Sequence, residues 1–359
     1  MGKGISIFTG MKYTLEENIE FIKKSKELGF NNIFTSLHIP EANYEKAIEE
    51  FKIIVAVSDN LGMNITADIS PRAFTFLGAD MNNLNAIKDM GIYAVRVDFG
   101  FSPEEISNFT HNKCNLKIEI NASTVNEKFF NNLDKYNPNY EMLKASHNYY
   151  PRLNTGISLN TFRKKNEMLK KRNIKISAFI PSLINKRGPV FEGLPTLEMH
   201  RFTDPYVAAK ELFALGMENV LFGDSIPSVV EIKRVGGIDE NVLEFRVRLN
   251  HCSIIEKKII FGDIHENRPD SAEDVIRSTN SRIDPNCGHV ISPHDNTARP
   301  IGCITIDNDD YLRYSGELQI PKKPLPPDNR VNVVASIVED DLSLLNYIDD
   351  ETKFKFIQI

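Results

Sequence analysis

Paired cysteines, long apolar runs and an excess of basic charge are all missing from this 359-residue sequence. The four cysteines, Cys114, Cys252, Cys287 and Cys303, stand far apart with no C-x-x-C pair. That spacing argues against a zinc ribbon and a disulfide framework, and fits free thiols in a reducing compartment. No window approaches the ~20 apolar residues of a membrane span, and MGKGISIFTG at the amino terminus lacks the basic start and apolar stretch of a signal peptide. The expected location is therefore cytoplasmic, with no membrane contact. Lys and Arg number 43 against 49 Asp and Glu, a formal net charge of −6. Nucleic acid is not expected as a partner, because a phosphate backbone needs a broad basic face. Small anions remain compatible with local arginines. No G-x-G-x-x-G follows the first predicted strand, and neither G-x-x-x-x-G-K-[ST] nor H-E-x-x-H occurs. The signals of a nucleotide crevice and of a spaced metal-ligand motif are thus absent.

What is present is an ordinary globular composition, 41% hydrophobic and 26% charged, in a chain too long for one average domain. Short apolar runs at Ile5–Phe8, Asn32–Ser36, Ile65–Ile69, Ala94–Phe99, Lys117–Asn121, Met142–His147, Ile174–Ile180 and Asn219–Phe222 each precede a helical pattern. Thr14 and Glu17 form a capping-box signature for the first helix, which ends at Leu28-Gly29. A second helix is expected from about Tyr44 to Leu61, and the last one over Pro227–Val235 with proline in its first turn. Eight strand–helix pairs before residue 236 predict a (β/α)8 barrel over residues 1–236, with an open doubly wound sheet as the alternative. After Gly236-Gly237 the texture changes. Leu243–Leu249, Lys257–Phe261, Cys303–Ile306, Glu317–Ile320 and Val331–Ile337 are short β-branched runs, so residues 237–359 predict a small β-barrel domain. Pro321–Pro327 reads as a semi-rigid connection.

Two of the barrel runs carry charge on one face. Arg96 and Asp98 alternate with Val95, Val97 and Phe99; Glu119 and Asn121 alternate with Ile118, Ile120 and Ala122. Strands covered by helices are normally apolar on both faces, so a polar inner face implies a cavity with ionic work to do. Active sites of such barrels lie at the carboxyl ends of the strands. Those ends supply Asp68, Asp98, Glu119, Asn121, His147 and, just after the eighth strand, Asp224. Pairing with Arg96 or helix capping explains several of these equally well, and Asp224-Ser225 stands where an N-cap would. Asp98, Glu119 and Asp68 are the candidate catalytic acids. Two carboxylates are what glycoside hydrolysis uses, one protonating the leaving oxygen and the other acting as nucleophile or base. Proton abstraction, or Mg²⁺ or Mn²⁺ held with His38 or His147, would use the same residues; no ligand spacing supports a metal, and neither metal nor cofactor is expected.

The loop after the seventh strand, 181–201, is the longest of the barrel and adds Glu192, Glu198, Lys186, Arg187 and Arg201. Tyr149 and Arg152 follow the sixth strand, a composition suited to sugar stacking and anion recognition, although Tyr149 and Tyr150 fit aromatic packing equally well. In the last third, HVISPHDNTARPIG gathers His294, Asp295, Asn296 and Arg299 in one loop.

The stretches SLHIPE (36–41), NAST (121–124), HNYYPR (147–152), GPVFEGLPTLEMHR (188–201), DNTARPIG and GELQI together resemble the MupG-type 6-phospho-N-acetylmuramidases. The resemblance covers nearly the whole chain. It implies a (β/α)8 barrel followed by a cyclophilin-like β domain, and hydrolysis of the β-1,4 bond between N-acetylmuramic acid 6-phosphate and N-acetylglucosamine in cell-wall recycling. The partner it implies is a phosphorylated amino-sugar disaccharide; a homodimer stays open. Its phosphate and lactyl carboxylate would account for arginines near an acidic mouth, with Arg152, Arg201 and Arg299 the expected contacts and the 295–299 loop expected over the barrel mouth. His38, Asn121, His147, Tyr149, Glu192, Glu198 and Asp224 complete the expected binding set. Two rival readings are a phosphosugar-binding protein without turnover, and an isomerase or aldolase using Lys144 or Lys175; prolyl isomerisation would be fold analogy alone.

Overall fold

Period-two and helical patterns alternate through the first part of the chain, and they fold in that alternation. In the computed structural model, which describes residues 1–36, 44–71, 74, 77, 83–282 and 290–359, two units separate, Met1–Gly237 and Ile238–Ile359. The first contains β1 (Gly2–Ile7), β2 (Phe30–Ser36), β3 (Asn64–Asp68), β4 (Ala94–Arg96), β5 (Lys117–Asn121), β6 (Leu143–Ser146), β7 (Lys175–Ile180) and β8 (Asn219–Phe222). All neighbours pair parallel in chain order, and β1 also pairs with β8, which closes the barrel and excludes the open sheet. Between and after the strands run α1 (Leu15–Glu27), α2 (Tyr44–Asn60), α3 (Asn85–Asp89), α4 (Pro103–Thr110), α5 (Glu127–Leu133), α6 (Leu159–Lys170), α7 (Pro205–Ala214) and α8 (Val229–Gly236).

Local chemistry sets the ends of these elements. Thr14 and Glu17 exchange the two hydrogen bonds of a capping box at α1, as their spacing predicts. The last helix starts later than the Pro227 expected from sequence. Ser228 caps it, accepting the Glu231 N–H at 3.3 Å while Glu231 accepts the Ser228 N–H at 2.8 Å, so Pro227 precedes the cap instead of entering the first turn. The fourth strand also stops early, at Arg96 instead of Phe99. Val97 still donates to Glu119 O at 2.9 Å, but the chain then turns through Gly100 at φ +88°, a conformation that suits glycine. Phe99 is left 81% exposed.

Strand registry settles which side chains face the lumen. Asp68, Arg96, Glu119 and Lys144 are successive register partners across β3, β4, β5 and β6. Neighbouring parallel strands lie about 4.8 Å apart and register partners share a face, so a barrel interior holds an arc of alternating −, +, −, + charge. Arg96, Glu119 and Lys144 are all buried. A lone buried charge is costly, and alternation lets each neighbour offset the next. Phe34, Phe179 and Leu221 close the other side with Phe8.

The second unit builds a seven-stranded sheet from β9 (Leu243–Leu249), β10 (His265–Glu266), β11 (Val275–Arg277), β12 (Cys303–Asp307), β13 (Leu318–Pro321), β14 (Val331–Ile337) and β15 (Lys353–Gln358), in the order β10-β15-β9-β14-β12-β13-β11. An isolated bridge between Asn267 and Ser278 joins the two edges and nearly closes the sheet. Lys257–Phe261, expected as a strand, belongs instead to α9 (Ile254–Phe261). Ser253 and Glu256 form a capping box there, and Ile255, Ile259 and Ile260 recur at helical spacing against a core that includes Phe245, Ile304 and Phe354. The β-branched run hid a helix start signal, Ser253, that lay four residues before it.

Among the described residues, no helix is long and apolar enough to cross a membrane. Cys114, Cys252 and Cys303 are free thiols, and burial pushes Cys252 up to about 11 and Cys303 to about 12. Cys287 and His38 lie outside the described residues.

Candidate active site at the carboxyl ends of the barrel strands

One step beyond the charged arc, toward the mouth, the strand ends present Asp98, Asn121 and Asn148, two residues after Arg96, Glu119 and Ser146 respectively. Their side chains form one network. Asn121 Nδ2 donates to Asp98 Oδ1 at 2.7 Å and to Asn148 Oδ1 at 3.1 Å. Arg96 Nη2 donates to Asp98 Oδ2 at 3.3 Å and also to Asn148 Oδ1. Asp98 therefore has both oxygens held from the barrel side while 31% of its side chain meets solvent. The Arg96 side chain is 3% exposed, and its Nε has no hydrogen-bond partner among the described residues.

Glu119 and Asp68 lie deeper. Glu119 is 2% exposed and accepts from Ser146 Oγ. Asp68 Oδ2 accepts from Ser36 Oγ at 3.4 Å. Lys144 lines the same narrow interior space with Glu119 and Ser177, and its Nζ lies 4.9 Å from the Tyr93 ring near the start of β4. Burial lowers its pKa against the pull of Glu119. The lysine a Schiff-base enzyme would need is thus packed within the barrel, and Lys175, its register partner on β7, is largely exposed and pairs with Glu218 at 3.0 Å.

Period-two geometry sends His147 outward where it sends Asn148 inward. His147 is fully buried against α6, stacked on Phe162 at 4.5 Å, with Nε2 at 2.8 Å from Asn166 Oδ1 and Nδ1 at 3.1 Å from Ser123 Oγ. Ser123 Oγ in turn accepts the Asn148 N–H at 3.0 Å, so His147 supports the strand end from behind. Burial lowers the imidazole from 6.5 to about 4. The unfolded chain takes up that proton first as pH falls. Stability from this site is therefore complete above pH 6.5 and is lost between 6.5 and about 4, on the order of 3 kcal/mol. Urea midpoints measured across that window should fall with pH, and His147→Asn should flatten the fall; a parallel curve for the variant would assign the acid sensitivity elsewhere.

The loop after β7 is held by two buried hubs. Asp224, fully buried, accepts the N–H groups of Ser182 (2.8 Å), Arg187 (2.7 Å) and Leu194 (3.1 Å); burial pushes its carboxyl above the usual range against those three donors. Arg201, also fully buried, spends all five N–H groups on Glu198, on the carbonyls of Glu192 and Gly193, and on Arg152 O. Glu198 receives Asn154 N and Gly156 N as well, and Arg201 holds it down to about 2. Glu192 accepts the Leu153 N–H at 2.6 Å. The side chains of Asp224, Arg201, Glu198 and Glu192 thus tie loop to loop, and the sequence-expected Arg201 has no N–H left for a ligand.

These hubs bring Arg187 over the lumen. Its guanidinium carbon lies 4.1 Å from the Phe8 ring centroid and 5.0 Å from that of Tyr149, and Nη1 donates to Tyr149 Oη at 3.3 Å. Tyr149 packs edge-on against Phe8, Phe34 and Phe179. Arg152 is exposed on the loop after β6. In the second unit, Arg299 pairs with Leu325 through its backbone and donates from Nε to Pro326 O at 2.9 Å. Asn148 was not selected from sequence, and Arg187 stood there only as one of three cations of the long loop, with nothing to set it ahead of Arg201. For Asn148 the signal existed, since it follows Lys144 and Ser146 at period two; for Arg187 it did not, because the loop takes its course from the distant Asp224.

The barrel mouth thus joins a restrained carboxylate to an aromatic and guanidinium wall. Over 99% of both chains, the structure is similar to that of an uncharacterized B. cereus protein, with 30% identity and a TM-score of 0.87. A conserved Enterococcus faecalis protein of unknown function matches at 34% identity over 100% of this chain and 96% of its own, TM-score 0.73. No curated protein matches the sequence. Residues 3–237 match the family model for the 6-phospho-N-acetylmuramidase N-terminal region and residues 243–357 that for the C-terminal region. With nearly the whole chain covered by these two models, it belongs to the 6-phospho-N-acetylmuramidase (MupG) family.

Proposed function

We propose that this chain is a glycosidase that cleaves N-acetylmuramic acid 6-phosphate from N-acetylglucosamine at the β-1,4 bond, in cytoplasmic recycling of peptidoglycan. The observation that carries the reading is Asp98, half open at the barrel mouth with both oxygens held by Asn121 and Arg96. Glycoside hydrolysis needs a carboxylate set against the anomeric region of the sugar, and a restrained one keeps its geometry as charge develops. Asp98 meets the substrate; Asp68 and Glu119, one inward step below, supply the acidic surroundings. The Tyr149 ring offers a sugar-facing surface, and Arg187 and Arg152 offer cations for the phosphate and lactyl groups. The nearly closed sheet of the second unit suits the cyclophilin-like class that the resemblance implies, a likeness of fold that carries no activity with it.

The test is incubation of the purified protein with the 6-phosphorylated disaccharide and its unphosphorylated twin, followed by mass spectrometry. Release of N-acetylglucosamine from the phosphorylated compound supports the reading, and no release from either refutes it. Arg187 should account for part of the discrimination. Charge-assisted hydrogen bonds contribute about 1.5–3 kcal/mol, so Arg187→Ala should raise KM for the phosphorylated disaccharide about 10–100-fold and leave the unphosphorylated one nearly unchanged. Equal effects on both would place the phosphate elsewhere.

A further inference from the structure

We propose that His251, His294 and Asp295 of the second unit form a binding site for a borderline first-row divalent cation, zinc in particular, with a fourth coordination position open to water or a ligand. Nδ1 of His251 and Nδ1 of His294 are 3.3 Å apart, and Asp295 Oδ2 lies 3.6 Å from His294 Nδ1. The three donor atoms all fall within 4.8 Å of one another. Two nitrogens each bound about 2.0–2.1 Å from a tetrahedral zinc stand about 3.3–3.4 Å apart, so the imidazole pair already has the spacing one ion requires. Two nitrogens and one carboxylate favour zinc over magnesium or calcium, which take all-oxygen shells.

The second, independent observation is what lies behind His294. Its Nε2 is 2.9 Å from both oxygens of Glu256, whose side chain is 1% exposed. Glu256 is itself fixed by Asn332 Nδ2 at 2.9 Å and by the Ser253 N–H at 2.8 Å, and Asn332 Oδ1 accepts the His294 N–H at 3.1 Å. This is the carboxylate–histidine arrangement that metal sites use to orient a ligand. A proton on Nε2, donated to Glu256, leaves Nδ1 of His294 as a lone pair directed at His251. Without an ion, His251 Nδ1 must then carry the only proton between the two rings. With an ion, both lone pairs and Asp295 converge on it.

The loop is shaped to suit. Asp295 holds φ at +42°, in the left-handed region that aspartate tolerates better than most residues, and Asn296 Nδ2 ties the next turn to Val331 O and Asn332 Oδ1. His251 and Asp295 are exposed, so an ion has a path in, while the buried Glu256 holds the third ligand rigid.

The test uses the full chain, stripped with a chelator and titrated with ZnCl2 against a chromophoric zinc chelator, with CoCl2 absorption spectra as a report on tetrahedral geometry. Wild type should take up one equivalent and melt at a higher temperature with zinc than without. His251→Ala and Asp295→Asn change only exposed side chains and should keep the zinc-free melting temperature. Loss of a direct ligand should weaken binding by at least the 10–100-fold typical of outer partners, that is about 10²-fold or more for His251→Ala. No saturable uptake by wild type, or equal uptake by both variants, would overturn the site and leave His251 and His294 as a hydrogen-bonded pair.

Discussion

Asp98→Asn should lower kcat on the phosphorylated disaccharide by at least about 10²-fold, while the thermal midpoint moves by no more than a few degrees. Acid–base groups contribute about 10²–10⁴ to rate, and asparagine removes the charge while keeping the size. The structural cost should be small because the side chain is partly solvent-exposed and because an amide oxygen can still accept from Asn121 Nδ2. A kcat within about threefold of wild type would exclude Asp98 from the chemistry and direct attention to Asp68. The same measurement on Asn121→Ala separates reaction from positioning. If Asn121 only holds Asp98, the variant should lose rate without gaining a new pH dependence.

Glu119→Gln should fail in another way. Removing one charge from the buried arc leaves Arg96 and Lys144 with less compensation, and breaking a buried pair from one side costs about 3–5 kcal/mol. Urea unfolding should show a loss of that order. Adding Lys144→Gln should recover most of it, since a neutral pair of similar size replaces an ionic one. Turnover of the recovered double variant then decides the role of Glu119. Activity that returns with stability makes it a structural charge; activity that stays down about 10²-fold gives it a chemical one. A single variant as stable as wild type would show that the arc carries no such tension.

The barrel was legible because its signal is local: eight repeats of strand and helix need only alternation and caps, and Thr14 with Glu17 reads directly as a helix start. The inner faces of β4 and β5 were legible for the same reason. Period two also decides His147 against Asn148, yet the eye stops at the histidine because of its chemistry. The second unit was less legible. Its β10 is two residues long and its β11 three, too short to carry a pattern, and Lys257–Phe261 has strand composition inside a capped helix. The mouth's cations were least legible of all. Arg201 and Arg187 lie 14 residues apart in one loop, and composition treats them alike. Only non-local contacts distinguish them, since Arg201 is consumed by five bonds and Arg187 is carried to the lumen by an aspartate from beyond β8.

Strand β9 has β14 on one side, antiparallel, and β15 on the other, parallel. Its neighbours are therefore synthesised late, β15 about a hundred residues after β9 itself, and loop closure over such a separation slows pairing. Until then Phe245 and Val247 have no sheet to join, and a nascent chain carries an unpaired apolar strand past an already complete barrel sequence. Chaperone dependence of expression should therefore track this strand: polar substitutions on the barrel surface would leave yield unchanged, whereas anything that delays β15 would lengthen the interval in which β9 can pair with the wrong chain.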